Sequence, residues 1–176
     1  MKRETEIMCM LEEARFLKNN LGQPKKAINL CNEILDMDSS CRDAMLIKAG
    51  AMNETFLLDE AEKLIRHIVE KWPAHWEGYY LLALNCLSRE EDEEGLKAID
   101  KSVELDENFD NIITKAQMLY LLGTGDYKEY VEKARKIDKQ RTENFMKTHF
   151  TYDVNAVKPT LSEWFNAIKH IFRKKK

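Results

Sequence analysis

Residues 42–75 read RDAMLIKAGAMNETFLLDEAEKLIRHIVEKWPAH, and residues 76–109 read WEGYYLLALNCLSREEDEEGLKAIDKSVELDENF. Laid one above the other, Met45 falls on Tyr79, Ala49 on Ala83, Ala61 on Gly95, Ile65 on Ile99 and Val69 on Val103, each pair 34 residues apart. The same offset reaches back to Leu11, Ala27, Cys31 and Leu35, and forward to Ile113. Each period holds two stretches with apolar residues at i, i+3, i+4 and i+7, the spacing of one face of an α-helix. The small residues have a steric reason. Two antiparallel helices close up only where short side chains let their backbones approach, and larger residues a turn away fill the groove to the next pair. One pair cannot cover its own apolar face, so pairs must stack.

This period and its small positions resemble the tetratricopeptide repeat family, whose unit is 34 residues. The resemblance implies an all-α solenoid, a right-handed superhelix of antiparallel helix pairs, with four units over residues 1–140 and a C-terminal extension over 141–176. Unit two, 42–75, matches best, with Ala49, Ala61 and Trp72-Pro73 where the family usually has Asp-Pro. Unit three, 76–109, carries Tyr79, Leu82-Ala83, Gly95 and Val103-Glu104-Leu105-Asp106. Unit one, from about Met8 to Cys41, has Ala27-Ile28 and Ile34-Leu35-Asp36-Met37-Asp38, but Arg15 stands where a small residue is expected, which displaces its first helix. Unit four, from Asp110 to about Gln140, has Gly123-Thr124-Gly125-Asp126-Tyr127 near the family's Gly-Asp-Tyr turn, with one extra residue, and Tyr130 in place of the usual Ala. Capping agrees with these limits: Pro24 suits a first helical turn, Ser40 with Asp43 suits the start of unit two, and Pro159-Thr160-Leu161-Ser162-Glu163 reads as a capping box.

In this family the first helices of successive units line a concave groove. Carried over, the lining residues are Glu12, Phe16, Asn19, Asp43, Leu46, Gly50, Asn53, Glu77, Tyr80, Leu84, Leu87, Thr114, Met118 and Leu121. Phe16, Asn19, Leu46, Asn53, Tyr80, Leu84, Leu87, Met118 and Leu121 are the candidate binding residues. Aromatic and Met side chains suit a partner helix or an extended peptide. The competing reading packs some of them between units. The carboxylate clamp of the family, which holds acidic chaperone tails, needs Lys and Asn on unit one and Lys and Arg on unit three. Glu12, Phe16, Glu77 and Leu81 stand there, with the wrong charges.

Beyond the repeats, Leu161, Trp164, Phe165, Ile168, Ile171 and Phe172 mark one face of an amphipathic helix. It is expected to cap the stack, or to serve as the contact of a homodimer. Residues 141–158 form either a helix pairing with it or an extended strap, since Phe150, Tyr152 and Val154 alternate. Arg173-Lys174-Lys175-Lys176 is a basic end; membrane recruitment through it, as an accessory factor, is the lesser alternative. The run Glu90-Glu91-Asp92-Glu93-Glu94 reads as a solvated turn, or as a docking spot for a basic segment.

Other classes find little support. Net charge is −3, with no basic and aromatic groove for nucleic acid. The longest uncharged run, Gly78 to Ser88, is too short to span a bilayer as a helix. No apolar signal core follows Met1-Lys2-Arg3-Glu4-Thr5-Glu6. Cys9, Cys31, Cys41 and Cys86 form no C-x-x-C pair and read as reduced residues of a cytoplasmic protein. His67 and Glu70 lack a second His at zinc spacing, His75 sits between Trp72 and Trp76, and Gly123-Thr124-Gly125 lacks the rest of a phosphate loop. The expectation is therefore a non-catalytic adaptor or scaffold, without cofactor or metal, that binds a protein or peptide partner in its groove. Light scattering on the full chain and on one ending at Lys158 separates the open groove from self-association: a dimer that becomes a monomer on truncation supports the latter, and two monomers leave the groove for a foreign ligand.

Overall fold

The 34-residue period is built as stacked helical hairpins. The computed structural model describes residues 2–123 and 127–149. Among the described residues there are nine helices and no strand: α1 (Lys2–Asn19), α2 (Pro24–Met37), α3 (Arg42–Glu54), α4 (Leu58–Lys71), α5 (Trp76–Ser88), α6 (Asp92–Leu105), α7 (Phe109–Leu122), α8 (Tyr127–Ile137) and α9 (Lys139–His149). Consecutive helices pack on one another from α1 to α9, and α3 also touches α1 and α5. The first helices of the hairpins therefore share one side of the stack. The C-terminal positions Leu161, Trp164, Phe165, Ile168, Ile171 and Phe172 lie outside the described residues, as do Phe150, Tyr152, Val154 and the basic end.

Short side chains sit where the hairpins close. Ala27, Ala49, Ala61 and Ala83 are all buried. At Gly95 a Cβ would stand 2.9 Å from Met118 Cε and 3.3 Å from Cys86 Cβ, so a methyl group fits only if the Met118 end and Cys86 give way. Around these positions lies a central core that includes Ile65, Ile68, Leu82, Leu87, Ile99 and Met118. Leu11, Ala14, Cys31, Ile34 and Ile47 extend it at the N-terminal end, and Val103, Phe109, Ile112, Ile113 and Ala134 at the other. Each large aliphatic side chain buried this way contributes about 1.5–3 kcal/mol.

Two buried polar joints interrupt this apolar stack. Asn85 Nδ2 donates to Asn53 Oδ1 (2.8 Å) and to the Leu58 carbonyl (3.0 Å), while Asn53 Nδ2 donates to the Leu81 carbonyl (3.2 Å). Asn111 Nδ2 donates to the carbonyls of Asp106 (2.7 Å) and Ser102 (3.2 Å), tying α6 to α7. Asn108 caps α7 by accepting from the Asn111 amide at 3.0 Å.

The turns within the hairpins each place one residue in the left-handed region: Gly22 (φ 59°), Phe56 (61°), Glu90 (63°) and Gly123 (62°). Phe56 and Glu90 are 34 residues apart and make the same bonds. Leu57 N–H donates to the Met52 carbonyl, and Glu91 N–H to the Cys86 carbonyl, as at a Schellman helix end. The first turn differs. Four residues, 20–23, join α1 to α2, whereas three, 55–57 and 89–91, join the next two hairpins.

That extra residue bears on the expectation for Arg15. The small position moves back one place to Ala14, which is fully buried, and half-buried Arg15 turns toward Asp43 of α3. Three further features have local causes, the first a departure from expectation. Ser40 does not cap α3 with Asp43: its amide and hydroxyl both donate to Asp38 Oδ1 (2.9 and 2.8 Å), which holds the Asp38 carboxyl below its usual range, and Cys41 precedes the helix instead. In the fourth hairpin the sizes are exchanged, with half-buried Tyr130 at the expected small position and Ala134 buried one turn later. Of the two readings of residues 141–158, the described part, through His149, is the helix: Asp138 accepts from the Arg141 amide (2.9 Å) and its carbonyl from the Thr142 hydroxyl (2.7 Å) where α9 begins.

Gly22 tests the turn geometry cleanly, because a Cβ there would meet nothing within 4 Å. Gly22→Ala is expected to cost about 1 kcal/mol from backbone strain alone, whereas Glu90→Gly, the reverse exchange at the matching position, is expected not to destabilise. Chemical denaturation of both variants checks the pair. Burial pushes the Cys31 thiol up to about 11 and the Cys86 thiol up to about 12, so both stay protonated near neutral pH. Iodoacetamide at pH 8 is expected to label exposed Cys9 in the native chain, and Cys31 and Cys86 only after denaturation.

Candidate functional site

The shared side of α1, α3 and α5 carries a cleft of about 460 Å³ lined by Arg15, Lys18, Asn19, Arg42, Asp43, Leu46, Ile47, Gly50, Trp76, Glu77, Tyr80 and Leu81. Gly50, with no side chain, lets Lys18 and Leu81 close over the cleft floor. A Cβ there would come within 3.1 Å of Lys18 Cε and 3.5 Å of Leu81 Cδ2. Leu46, Leu81 and the edge-to-face pair of Trp76 and Tyr80, whose centroids are 5.9 Å apart, supply apolar wall. Burial raises the Tyr80 phenol above its ordinary value, against a smaller opposing effect from Thr114.

The rim is charged and largely paired across hairpins. Arg15 bonds to Asp43 (2.5 Å) and Glu12 (2.7 Å), and Lys18 to Glu54 (3.0 Å). Arg42 lies against the His75 ring and 3.6 Å from Asp43. Pairs this exposed contribute little stability each; they fix where the charges stand.

Of the residues expected to line a groove, Asn19, Asp43, Leu46, Gly50, Glu77 and Tyr80 come together here. Phe16 does not. It is 53% exposed and lies outside the cleft lining, because the longer first turn rotates the register of α1 by one residue and brings Arg15 and Lys18 inward. Asn53, Leu87, Thr114 and Met118 are interior: Asn53 belongs to the amide joint, and Leu87 and Met118 to the central core. Leu84 and Leu121 are half-buried outside the cleft, Leu121 against that core. Arg15, Lys18, Arg42, Ile47, Trp76 and Leu81 were not foreseen as lining. The readable signal for the first two was Ala14 with the four-residue connection through Gly22.

Elsewhere the acidic turn is partly engaged. Glu91 accepts from Arg89 (3.0 Å) and Glu94 from Arg66 (2.7 Å). Cys86, Glu91 and Glu94 have ligand atoms within 4.8 Å of one another. A cation there would have to displace both guanidinium groups and a proton from the raised Cys86 thiol. No described helix is long and apolar enough to cross a membrane.

No protein-family model and no curated protein matches this chain. Among solved structures it is similar to MamA, residues 41 to the end, from Desulfovibrio magneticus RS-1, with 23% identity over 79% of this chain and 76% of that one and a TM-score of 0.59. It is also similar to a thermophilic TPR protein of Thermus thermophilus, with 17% identity over 76% of this chain and 75% of that one and a TM-score of 0.69. A third likeness is to the O-GlcNAc transferase of Thermobaculum terrenum, with 16% identity over 80% of this chain but 27% of the transferase and a TM-score of 0.68. At such identities the likeness concerns the backbone. Together with the hairpins, their small-residue contacts and the 34-residue period, it establishes the fold as a tetratricopeptide-type α-solenoid.

Proposed function

We propose that this protein is a non-catalytic interaction module, an adaptor or scaffold, and that the cleft between α1, α3 and α5 holds a peptide segment or helix of a protein partner. The cleft itself carries the reading: an apolar wall of Leu46, Leu81, Trp76 and Tyr80 stands beneath a rim of paired charges, on a stack of packed hairpins. Apolar concavities with a few placed polar groups are where ligands bind. The wall supplies contact area and the rim supplies orientation. The buried thiols of Cys31 and Cys86 are pushed up rather than down, away from the range of a reactive thiolate. A protein partner also accords with the fold, in which stacked pairs present a continuous inner surface.

The test uses peptides selected from a display library on the full chain. Tyr80→Ala and Leu46→Glu are each expected to weaken those peptides at least tenfold, as the loss of about 1.4 kcal/mol or more of contact energy does. Melting curves of the two variants check that the fold survives. Unchanged affinity in both variants would remove the cleft as the site.

A further inference from the structure

We infer that the group this cleft reads is a cation: a Lys or Arg side chain of the partner segment, flanked by apolar residues, whose charge is met by Glu77. The inference rests on the reading of the cleft as a peptide site and adds the chemistry of its ligand. Three cations line the cleft, and each already has an acidic neighbour. Arg15 is held by Asp43 and Glu12, and Lys18 by Glu54. Arg42 has Asp43 near one Nη and the His75 ring against the other; its Nε is buried without a partner, yet its charge is matched. Glu77 differs from all of these. It lines the cleft, its Oε2 is shut off from solvent, and that oxygen has no hydrogen-bond partner among the described residues.

An ionised carboxylate in that position lacks the donors that water supplied, and a buried acceptor without a donor is under-satisfied. Of the acidic side chains at or beside the cleft, Asp43, Glu12 and Glu54 each pair with a cation, and Glu77 is the carboxylate with no counterpart. Arriving ammonium or guanidinium supplies both charge and donors. The surroundings fit the rest of such a side chain. Its methylene stem lies on Leu46 and Leu81, and the Trp76 and Tyr80 rings offer faces or edges for contact with the stem or the charge. An acidic ligand meets the opposite situation, because every cation it needs is already engaged by a carboxylate.

The experiment selects random dodecapeptides displayed on phage against the full chain, Glu77→Gln and Glu77→Lys. The wild type is expected to enrich peptides with a fixed Lys or Arg beside apolar residues, and Glu77→Lys to lose that preference in favour of Asp or Glu. A synthetic version of the best wild-type peptide, with its fixed cation replaced by norleucine, completes a double-mutant cycle. It is expected to lose about tenfold affinity for the wild type and almost none for Glu77→Gln, a coupling that misfolding of the variant does not imitate. Wild-type peptides without a fixed cation, or with a fixed acid, but still weakened by Tyr80→Ala, overturn the cation and leave the cleft standing. Absence of enriched peptides, or peptides indifferent to Tyr80→Ala, overturns both.

Discussion

Everything in this structure depends on how closely two helices approach at a few short side chains. At Gly95 a methyl group would press on Met118 and Cys86, and Ala49, Ala61 and Ala83, fully buried, keep the other contacts along the stack short. Close approach brings the larger neighbours, Ile65, Ile99 and Cys86, into the space between hairpins. Dispersion contacts then accumulate at interior density. In the fourth hairpin the sizes trade places between Tyr130 and Ala134, with Lys115 (4.3 Å) and Lys133 (4.9 Å) lying over the Tyr130 ring. What the packing requires is a matched pair of volumes across the contact; which position is short is secondary.

The repeat was legible because its cause is local and periodic. Small residues at fixed offsets and helical spacing between them are visible without coordinates, and so was the extra residue in the turn at Gly123. The equivalent change at Gly22 was missed. A 34-residue offset runs through unit one at Ala27 and Leu11, which conceals a compensating shift inside it: Ala14 to Ala27 is 13 residues, whereas Ala49 to Ala61 is 12. Because a helix turns about 100° per residue, that single insertion moved Phe16 out of the cleft and Lys18 into it. The burial of Leu87 and Met118 was illegible for another reason. Groove and core residues sit about a turn apart on the same helices, and both are apolar. Only the position of the next hairpin decides which face is covered.

Electrostatics follows the same geometry. The pairs Arg15–Asp43, Lys18–Glu54, Arg66–Glu94, Arg89–Asp59 and Arg141–Asp110 all join one hairpin to the next. Individually such pairs are weak and salt-sensitive. Together they make the charge pattern along the cleft a property of neighbouring hairpins rather than of any one helix. A change in the angle between hairpins therefore alters both the width of the cleft and the electrical field inside it.

The amide joint of Asn53 and Asn85 has a further consequence. Hairpins built to one plan offer one another nearly interchangeable greasy flanks, and such flanks do not discriminate among neighbours of similar size. A buried amide does discriminate, since the N–H groups of Asn85 and Asn53 need a flank that returns their hydrogen bonds. The joint thereby labels one junction of the pile, as the Ser102–Asn111 contact (2.9 Å) labels another. Misordered or domain-swapped assemblies, in which a hairpin from another molecule slips into the row, forfeit those bonds and carry stranded polar atoms instead.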